Sequence, residues 1–170
     1  MVQISLKDGL CPASAYGFVC FGSLIAKLGD ITEGYRFALL AKSLIKKFDA
    51  KESEAEVLSV AIAVQSYVEP LLSTMECLHE AESMAISVGD FYWACILTNF
   101  YVSDGLWAGV NLSQLNVRLS DTIAFMHRHN HKPLLPIMSI GQGTFNVLLG
   151  NEALSLTSDT PLPKTALMVL

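Results

Sequence analysis

Apolar residues recur three and four positions apart along almost the whole chain, and this spacing limits the folds it can adopt. Residues 28–48, LGDITEGYRFALLAKSLIKKF, are typical: Ile31, Tyr35 and Ala38 fall on one face of a helix. No sustained period-two alternation and no Asn-Gly hairpin turn occurs, so the sequence does not predict strands. The chain is therefore expected to be all-α.

Glycine, aspartate and proline mark the ends of the expected helices. Gly29 suits the left-handed position after one helix, Asp30 or Thr32 begins the next, and Gly89–Asp90 repeats the pattern. Pro70 suits a first helical turn. The expected helices cover about residues 15–28, 30–48, 53–67, 70–88, 90–104, 112–127 and 134–149.

These helices form three pairs and one more helix, with short connections that make neighbours antiparallel. The period of about 40 residues resembles in style the 34-residue tetratricopeptide repeat. We therefore expect a short αα-hairpin solenoid resembling tetratricopeptide repeats, in which each hairpin buries its apolar face on the next. Residues 1–14 are expected to be an N-terminal extension, residues 15–150 a helical repeat domain of about seven helices, and residues 151–170 a loosely ordered tail.

One glycine lies inside the second expected helix. Gly34 costs on the order of 1 kcal/mol relative to alanine in a helix interior. A glycine in such a position often allows two backbones to approach closely. We expect that approach to be made with the preceding helix.

The composition excludes some partners and suggests others. Of the 170 residues 52% are apolar and 16% charged, and the formal net charge is −5. No run of basic residues exceeds Lys46–Lys47, so nucleic acid is not an expected partner. The apolar surplus means either that most helices are buried on two sides or that an apolar surface meets a neighbour.

Cysteine usage and leader signals bear on the compartment. Cys11, Cys20, Cys77 and Cys95 form no CxxC pair, and a chain of this length can bury a core without disulfides. We therefore expect free thiols in a reducing compartment. The N-terminus MVQISLKDG does not resemble a signal peptide. The expected location is cytoplasmic.

Two uncharged stretches test membrane insertion. Residues 10–26 and 133–151 carry no charge, but the first contains a proline, serines and glycines, and the second contains Gln142, Asn146 and three glycines. A spanning helix needs about 20 mostly apolar residues. Membrane insertion is not expected, although a membrane-associated helical bundle remains an alternative.

A histidine-rich stretch, HRHNH at residues 127–131, ends the sixth expected helix. His127 and His131 would share a face only if the helix continued, and Lys132–Pro133 disfavours that. Basic residues at a helix C-terminus are already favoured by the dipole. A zinc site usually takes four ligands, and no cysteine lies near in sequence. We therefore expect a solvated helix end, with a metal site as the alternative.

Two further groups of polar residues do not have the spacing of a calcium site or a catalytic site. Four acidic residues of the linker lack the spacing and central glycine of a calcium loop. They are Asp49, Glu52, Glu54 and Glu56. Cys77 and His79 lie two positions apart on a helix, so they face apart and do not form a nucleophile pair. No catalytic residue, cofactor or metal is expected.

The fifth expected helix carries aromatic residues on more than one face. Most are expected in the core, but stacked hairpins bind partners on a concave surface, and Tyr and Trp are favoured at contacts. Tyr92 and Trp107 are the residues that we expect to be exposed for contact with a partner.

The order of several segments resembles the helical region of large multi-sensor signalling kinases. They are LGDITEGYRFALLAKSL, EPLLSTMECLHEAESMAISVGDFYWACILTNFY, NLSQL and QGTFNVLLG. In that family a serine/threonine-kinase-like domain and an AAA-type ATPase precede a tetratricopeptide-like array, and a GAF domain and a histidine kinase often follow. Ser66–Tyr67 stands where the family tends to have His-Trp, and no kinase or phosphate-loop motif is present.

The resemblance implies a role without catalysis. The chain would be an interaction or spacer module of a signal-transduction protein in a two-component system, linking an ATPase-type regulatory region to sensor and kinase domains. Its partners would be proteins or adjacent domains, and apolar ends of the stack would favour self-association. The alternative is a free-standing ligand-binding protein or enzyme, with a cleft between the fifth and seventh expected helices lined by Gln142, Asn146 and Asn99.

Overall fold

The computed structural model describes residues 2–151, and these form α-helices without any strand. The prediction of an all-α protein is confirmed. The helices are α1 (Val2–Asp8), α2 (Ser14–Lys27), α3 (Ile31–Phe48), α4 (Glu54–Gln65), α5 (Leu71–Ser87), α6 (Phe91–Trp107), α7 (Leu112–Arg128) and α8 (Leu135–Leu148), with a 3₁₀ turn at Lys51–Ser53.

Helix α1 occupies much of the segment that was expected to be an extension, and the remaining helices lie close to their predicted positions. The tail expected over residues 151–170 lies, apart from its first residue, outside the described part of the chain. The described residues divide into two compact units, residues 2–108 and 109–151.

The two Gly-Asp turns have the same construction. Gly29 and Gly89 have φ angles of 107° and 80°, which L residues with side chains rarely adopt. Asp30 accepts a hydrogen bond from the backbone N–H of Glu33 at 3.0 Å, and Asp90 accepts one from that of Trp93 at 3.2 Å. The turns are 60 residues apart, which is longer than the expected period of about 40.

Helices α2 and α3 cross in very close contact. A Cβ placed on Gly34 would lie 2.6 Å from the carbonyl oxygen of Gly22 and 2.6 Å from the Cβ of Ala26. A Cβ on Gly22 would lie 2.6 Å from the Cβ of Phe37. The prediction that Gly34 allows close approach to the preceding helix is confirmed.

Helix α4 is the centre of the first unit. It packs against α2 and α3 on one side and against α5 and α6 on the other. All of its residues are buried or half-buried. Val57, Ala61 and Val64 join the core shared with α2 and α3, while Ala55 and Ile62 join the core shared with α5 and α6.

A hydrogen-bonded chain of side chains links the end of α4 to α3. Gln65, which is 5% exposed, donates to Glu69 at 2.8 Å and accepts from Lys42 at 3.0 Å. Tyr35 donates to the same carboxylate of Glu69 at 2.7 Å. Because buried polar groups are stable only when paired, these bonds keep the connection between α4 and α5 against α3.

The second unit consists of α7 and α8 packed together. Asn111 caps α7 by accepting a hydrogen bond from the N–H of Ser113 at 2.9 Å. A Cβ on Gly141 of α8 would lie 3.3 Å from a methyl group of Leu119 on α7, so the two helices pack tightly at that point.

Candidate functional site

An open apolar groove of about 550 Å³ lies between the beginning of α1 and the exposed side of α2. Its lining combines the small residues Gly17 and Cys20 with larger side chains. The lining residues are Val2, Gln3, Ile4, Tyr16, Gly17, Cys20, Phe21 and Leu24. We call this surface the α1/α2 groove.

Helix α1 is attached to α2 at the other end of the groove. Ser5 is buried, and its hydroxyl hydrogen-bonds that of Ser14 at 2.7 Å. The backbone N–H of Cys11 donates to the same Ser14 oxygen at 3.0 Å. Val2 packs against the core that α2 shares with α3 and α4. The short helix is therefore held in place although most of its residues are exposed.

Aromatic contacts hold Phe21, one of the lining residues, against α3. Phe21 packs edge-on against Phe37 of α3 with ring centroids 5.1 Å apart, and Phe18 stacks on the same ring at 6.0 Å. Aromatic pairs of this kind add about 0.5–1.5 kcal/mol to simple burial. Phe21 is nevertheless 39% exposed, and Leu24 is 55% exposed.

The groove carries no charged side chain in its lining. Gln3 and Tyr16 are its large polar residues. A hydrogen bond with the Cys20 side chain, together with burial and the nearby charge of Glu56, raises the pKa of Tyr16 to about 12. Its phenol is therefore neutral at physiological pH. An apolar, uncharged occupant fits this surface best.

The outer face of α6 is a second exposed surface. Tyr92, Ile96, Asn99, Ser103 and Trp107 follow one another at spacings of three and four residues, and all are exposed or half-buried. Tyr92 is 41% exposed and Trp107 is 78% exposed. The expected contact residues thus share one face of α6, and their role in contact remains a prediction.

The other aromatic residues of α6 lie nearer the core. Trp93, Phe100 and Tyr101 are half-buried and pack against the cluster that α4, α5 and α6 share. Cys95 is 1% exposed in the same region, and burial raises the pKa of its thiol to about 11. Cys77 is half-buried.

The histidine-rich stretch forms the end of α7. Asn130 adopts a left-handed conformation with φ 52°, and the N–H of His131 donates to the carbonyl oxygen of Met126 at 2.8 Å, which closes the helix. The ring of His129 packs on Phe125 at 4.3 Å. Within residues 2–151 no three His, Cys, Asp or Glu side chains are grouped so that they could hold a metal ion.

Asp49, Glu54, Glu56 and His79 each lie next to an opposite charge or at the start of a helix. Asp49 ends α3 in a left-handed conformation and lies 3.6 Å from the Lys51 ammonium group. Glu54 and Glu56 lie in the first turn of α4, where the helix dipole favours negative charge. His79 approaches the Glu82 carboxylate at 3.7 Å.

The polar residues expected to line a cleft lie on separate units. Gln142 donates to Ser120 at 2.6 Å, and Asn146 accepts from Asn116 at 3.1 Å, so both join α8 to α7. Asn99 belongs to α6. The contacts of Gln142 and Asn146 are those of a helix–helix interface.

Comparisons with known proteins give no further guide. No protein family, curated protein or solved structure matches the chain. In the part of the chain that the structure describes, no helix is both long and apolar enough to cross a membrane.

Sequence reasoning did not find the α1/α2 groove. Its signal was present, because Gly17, Phe21, Leu24 and Leu28 recur at helical spacing within and just beyond the uncharged residues 10–26. That spacing shows which residues share a face of α2, but it does not show that α3 and α4 cover the opposite face. Only the packing reveals which apolar face is left exposed.

Proposed function

We propose that this chain is a non-enzymatic helical-repeat interaction or spacer module of a signal-transduction protein. The observation that carries the proposal is the exposed apolar surface of α1 and α2. Ile4, Phe21 and Leu24, which all line the α1/α2 groove, are 64%, 39% and 55% exposed. Contiguous apolar surface of this kind marks sites where a protein meets a partner.

The packing order supports a repeat architecture like that of tetratricopeptide proteins. Helices α2, α4 and α6 contact one another in sequence, while α3 lies against α2 and α4, and α5 lies against α4 and α6. A stack built in this way buries each apolar face on a neighbour. The α1/α2 groove and the outer face of α6 would then be the surfaces on which neighbours pack.

The place of the module in signalling rests on the resemblance to the multi-sensor kinases. Its Gly29–Asp30 and Gly89–Asp90 segments form the two matched turns that join the helix pairs. In this role the chain would lie between an ATPase-type regulatory region and the sensor and kinase domains. A displacement at one helix pair would reach the next through α4.

The mass of the native protein tests the proposal. An antibody raised against residues 29–48 would be used on an immunoblot of denatured extract from the source cells. We expect a band far above the 18.5 kDa of this chain, since the module would be joined to signalling domains. A band near 18.5 kDa would refute a module within a larger signalling chain.

Association in solution gives a second, independent test. Sedimentation velocity of the isolated chain is expected to show mass that rises with concentration, because apolar surfaces self-associate. Leu24→Glu places a charge on that surface and is expected to reduce the association. Leu72→Glu is the matched control, since Leu72 is 62% exposed on α5, away from the groove. Equal behaviour of both variants would argue against an interaction surface on α2.

A further inference from the structure

The α1/α2 groove and the outer face of α6 lie at opposite ends of the first unit. Helix α4 stands between them, because its Val57 and Ala61 pack towards α2 and α3 while Ala55 and Ile62 pack towards α5 and α6. The two surfaces therefore do not meet within one copy of the chain. They can meet only between two copies.

Trp107 is the most exposed aromatic residue among residues 2–151. It is 78% exposed, and it shares the outer face of α6 with Tyr92 and Ile96 at helical spacing. Tryptophan is enriched among the few residues that carry most of the binding energy of an interface, where it fills a pocket of the partner. The outer face of α6 thus presents a side chain that suits a pocket.

The α1/α2 groove has the size and the chemistry to receive such a side chain. Its volume of about 550 Å³ falls within the range of about 300–1,000 Å³ that is usual for sites enclosing a bound group. Its lining is uncharged, as an indole ring is. The indole N–H is a donor only, and the side-chain oxygens of Gln3 and Tyr16 are acceptors in the lining.

The helices that carry the two surfaces differ in charge. Helices α1 and α2 carry Lys7, Lys27 and Asp8, so basic residues are in excess there. Helix α6 carries one charged residue, Asp104, and residues 52–108 contain no Lys or Arg. Complementary charge favours the meeting of unlike surfaces and disfavours the meeting of like ones. It therefore favours a contact of α6 with α1 and α2 over a contact of α6 with a second α6.

We propose that a second copy of this chain occupies the α1/α2 groove, with the outer face of its α6 as the contact surface and Trp107 as the residue that enters the groove. Two different surfaces meet in this contact, so it is heterologous. Every pair of copies then leaves one groove and one α6 face unoccupied, and further copies add head to tail. The inference rests on the proposed function and names a second copy of the module as the partner.

Two charged residues lie beside the proposed contact. Asp104 precedes Trp107 by one helical turn and is half-buried, and burial raises the pKa of its carboxyl. Within the described residues no basic side chain forms an ion pair with it. Lys27 follows the groove residue Leu24 by one turn and is exposed. A cation from the second copy would offset the cost of the buried carboxylate.

Two variants of the full chain that complement each other give the direct test. Both carry Trp93→Phe, which leaves Trp107 as the only tryptophan of the chain. The first also carries Leu24→Glu and so has a charge in its groove. The second also carries Trp107→Glu and keeps its groove. In sedimentation velocity we expect each variant alone to remain monomeric and the mixture to form a 1:1 dimer, since one intact groove meets one intact α6 face.

The fluorescence of Trp107 reports where its side chain goes. When the first variant is titrated with the second, we expect saturable movement of the emission to shorter wavelength, because the indole leaves water. A second variant that also carries Leu24→Glu is the control and is expected to cause no shift. One that carries Leu72→Glu instead is expected to cause the full shift, since Leu72 lies on α5. Circular dichroism would establish that all the variants are folded.

Three outcomes would overturn the proposed contact. The first is no emission shift at concentrations up to about 1 mM. The second is an equal shift with the control, which would place Trp107 outside the groove. The third is self-association of Trp107→Glu alone as strong as that of the unaltered chain, which would mean that the groove pairs with another surface. A large native band on the immunoblot with any of these results would leave the signalling module standing and remove only the head-to-tail contact.

Discussion

Gly22 and Gly34 face each other where α2 crosses α3, and a β-carbon on Gly34 would lie 2.6 Å from the carbonyl oxygen of Gly22. A backbone oxygen cannot rotate away as the end of a side chain can. The crossing therefore depends on the absence of a side chain at Gly34. This contact fixes the relation of the first two long helices and, through them, the wall of the α1/α2 groove.

We expect Gly34→Ala to destabilise the protein by about 1–3 kcal/mol, the usual cost of overpacking a core. Gly143→Ala is the control, because its Cβ would meet nothing within 4 Å on α8. That change is expected to stabilise α8 by about 1 kcal/mol through helix propensity. Urea unfolding of both variants, followed by circular dichroism, measures the difference. Two changes of the same sign would contradict the packing described here.

The hydroxyl of Thr98 on α6 hydrogen-bonds the Glu82 carboxylate of α5 at 2.7 Å. Thr98→Val keeps the shape and removes the donor, so it is expected to cost about 1–3 kcal/mol. Thr144→Val is the matched control, since its exposed hydroxyl bonds the carbonyl oxygen of Ile140 within its own helix. Equal unfolding midpoints for the two variants would show that the bond contributes little.

Asp104 on α6 gives a pH dependence. Burial raises the pKa of its carboxyl above the usual value. The folded state therefore holds the proton more tightly than the unfolded state does. Its stabilising contribution is complete below the unfolded pKa of about 3.9 and is lost as the pH rises through the folded pKa. At neutral pH the buried charge opposes folding.

Asp104→Asn is accordingly expected to raise the unfolding temperature at pH 7 and to change it little at pH 3. Thermal unfolding at both pH values measures this. Asp121→Asn, at an exposed position of α7, is expected to have no measurable effect at either pH. A lower unfolding temperature for Asp104→Asn at pH 7 would mean that the carboxylate has a stabilising partner.

The thiols should react in an order set by exposure and by pKa. Cys11 is exposed, and a hydrogen bond with the Ser14 side chain lowers the pKa of its thiol. Cys95 is buried, and its pKa is raised to about 11 by burial and by the charge of Glu82. Iodoacetamide at pH 8 is expected to label Cys11 first and Cys95 only in denaturant. Peptide mapping by mass spectrometry checks the order, and early labelling of Cys95 would contradict the core around α6.

Much of the fold could be predicted from local signals. The Gly-Asp turns are short-range devices, because Gly29 supplies a positive φ and Asp30 caps the next N–H groups regardless of what lies around them. The close approach of two helices at Gly34 could likewise be predicted from the position of this glycine inside a helix. These features depend on residues a few positions apart.

The candidate surface could not be predicted in the same way. Leu24 and Leu44 have the same local pattern, yet Leu44 is 3% exposed and Leu24 is 55% exposed. The difference arises from which helices pack on α2 and α3, and that depends on residues far apart in the sequence. The expected period of about 40 residues differs from the 60-residue spacing of the two turns for a related reason, since α4 packs against both hairpins.

The burial of α4 on every side limits how its sequence can change. A helix with one solvent face can exchange half of its residues freely, but each substitution in α4 alters the fit of one hairpin or the other. Random mutagenesis should therefore find Glu54–Gln65 among the least tolerant segments of the chain, although it contains none of the largest side chains. Both hairpins pack against this helix, so a shift of the first hairpin would alter the packing of the second.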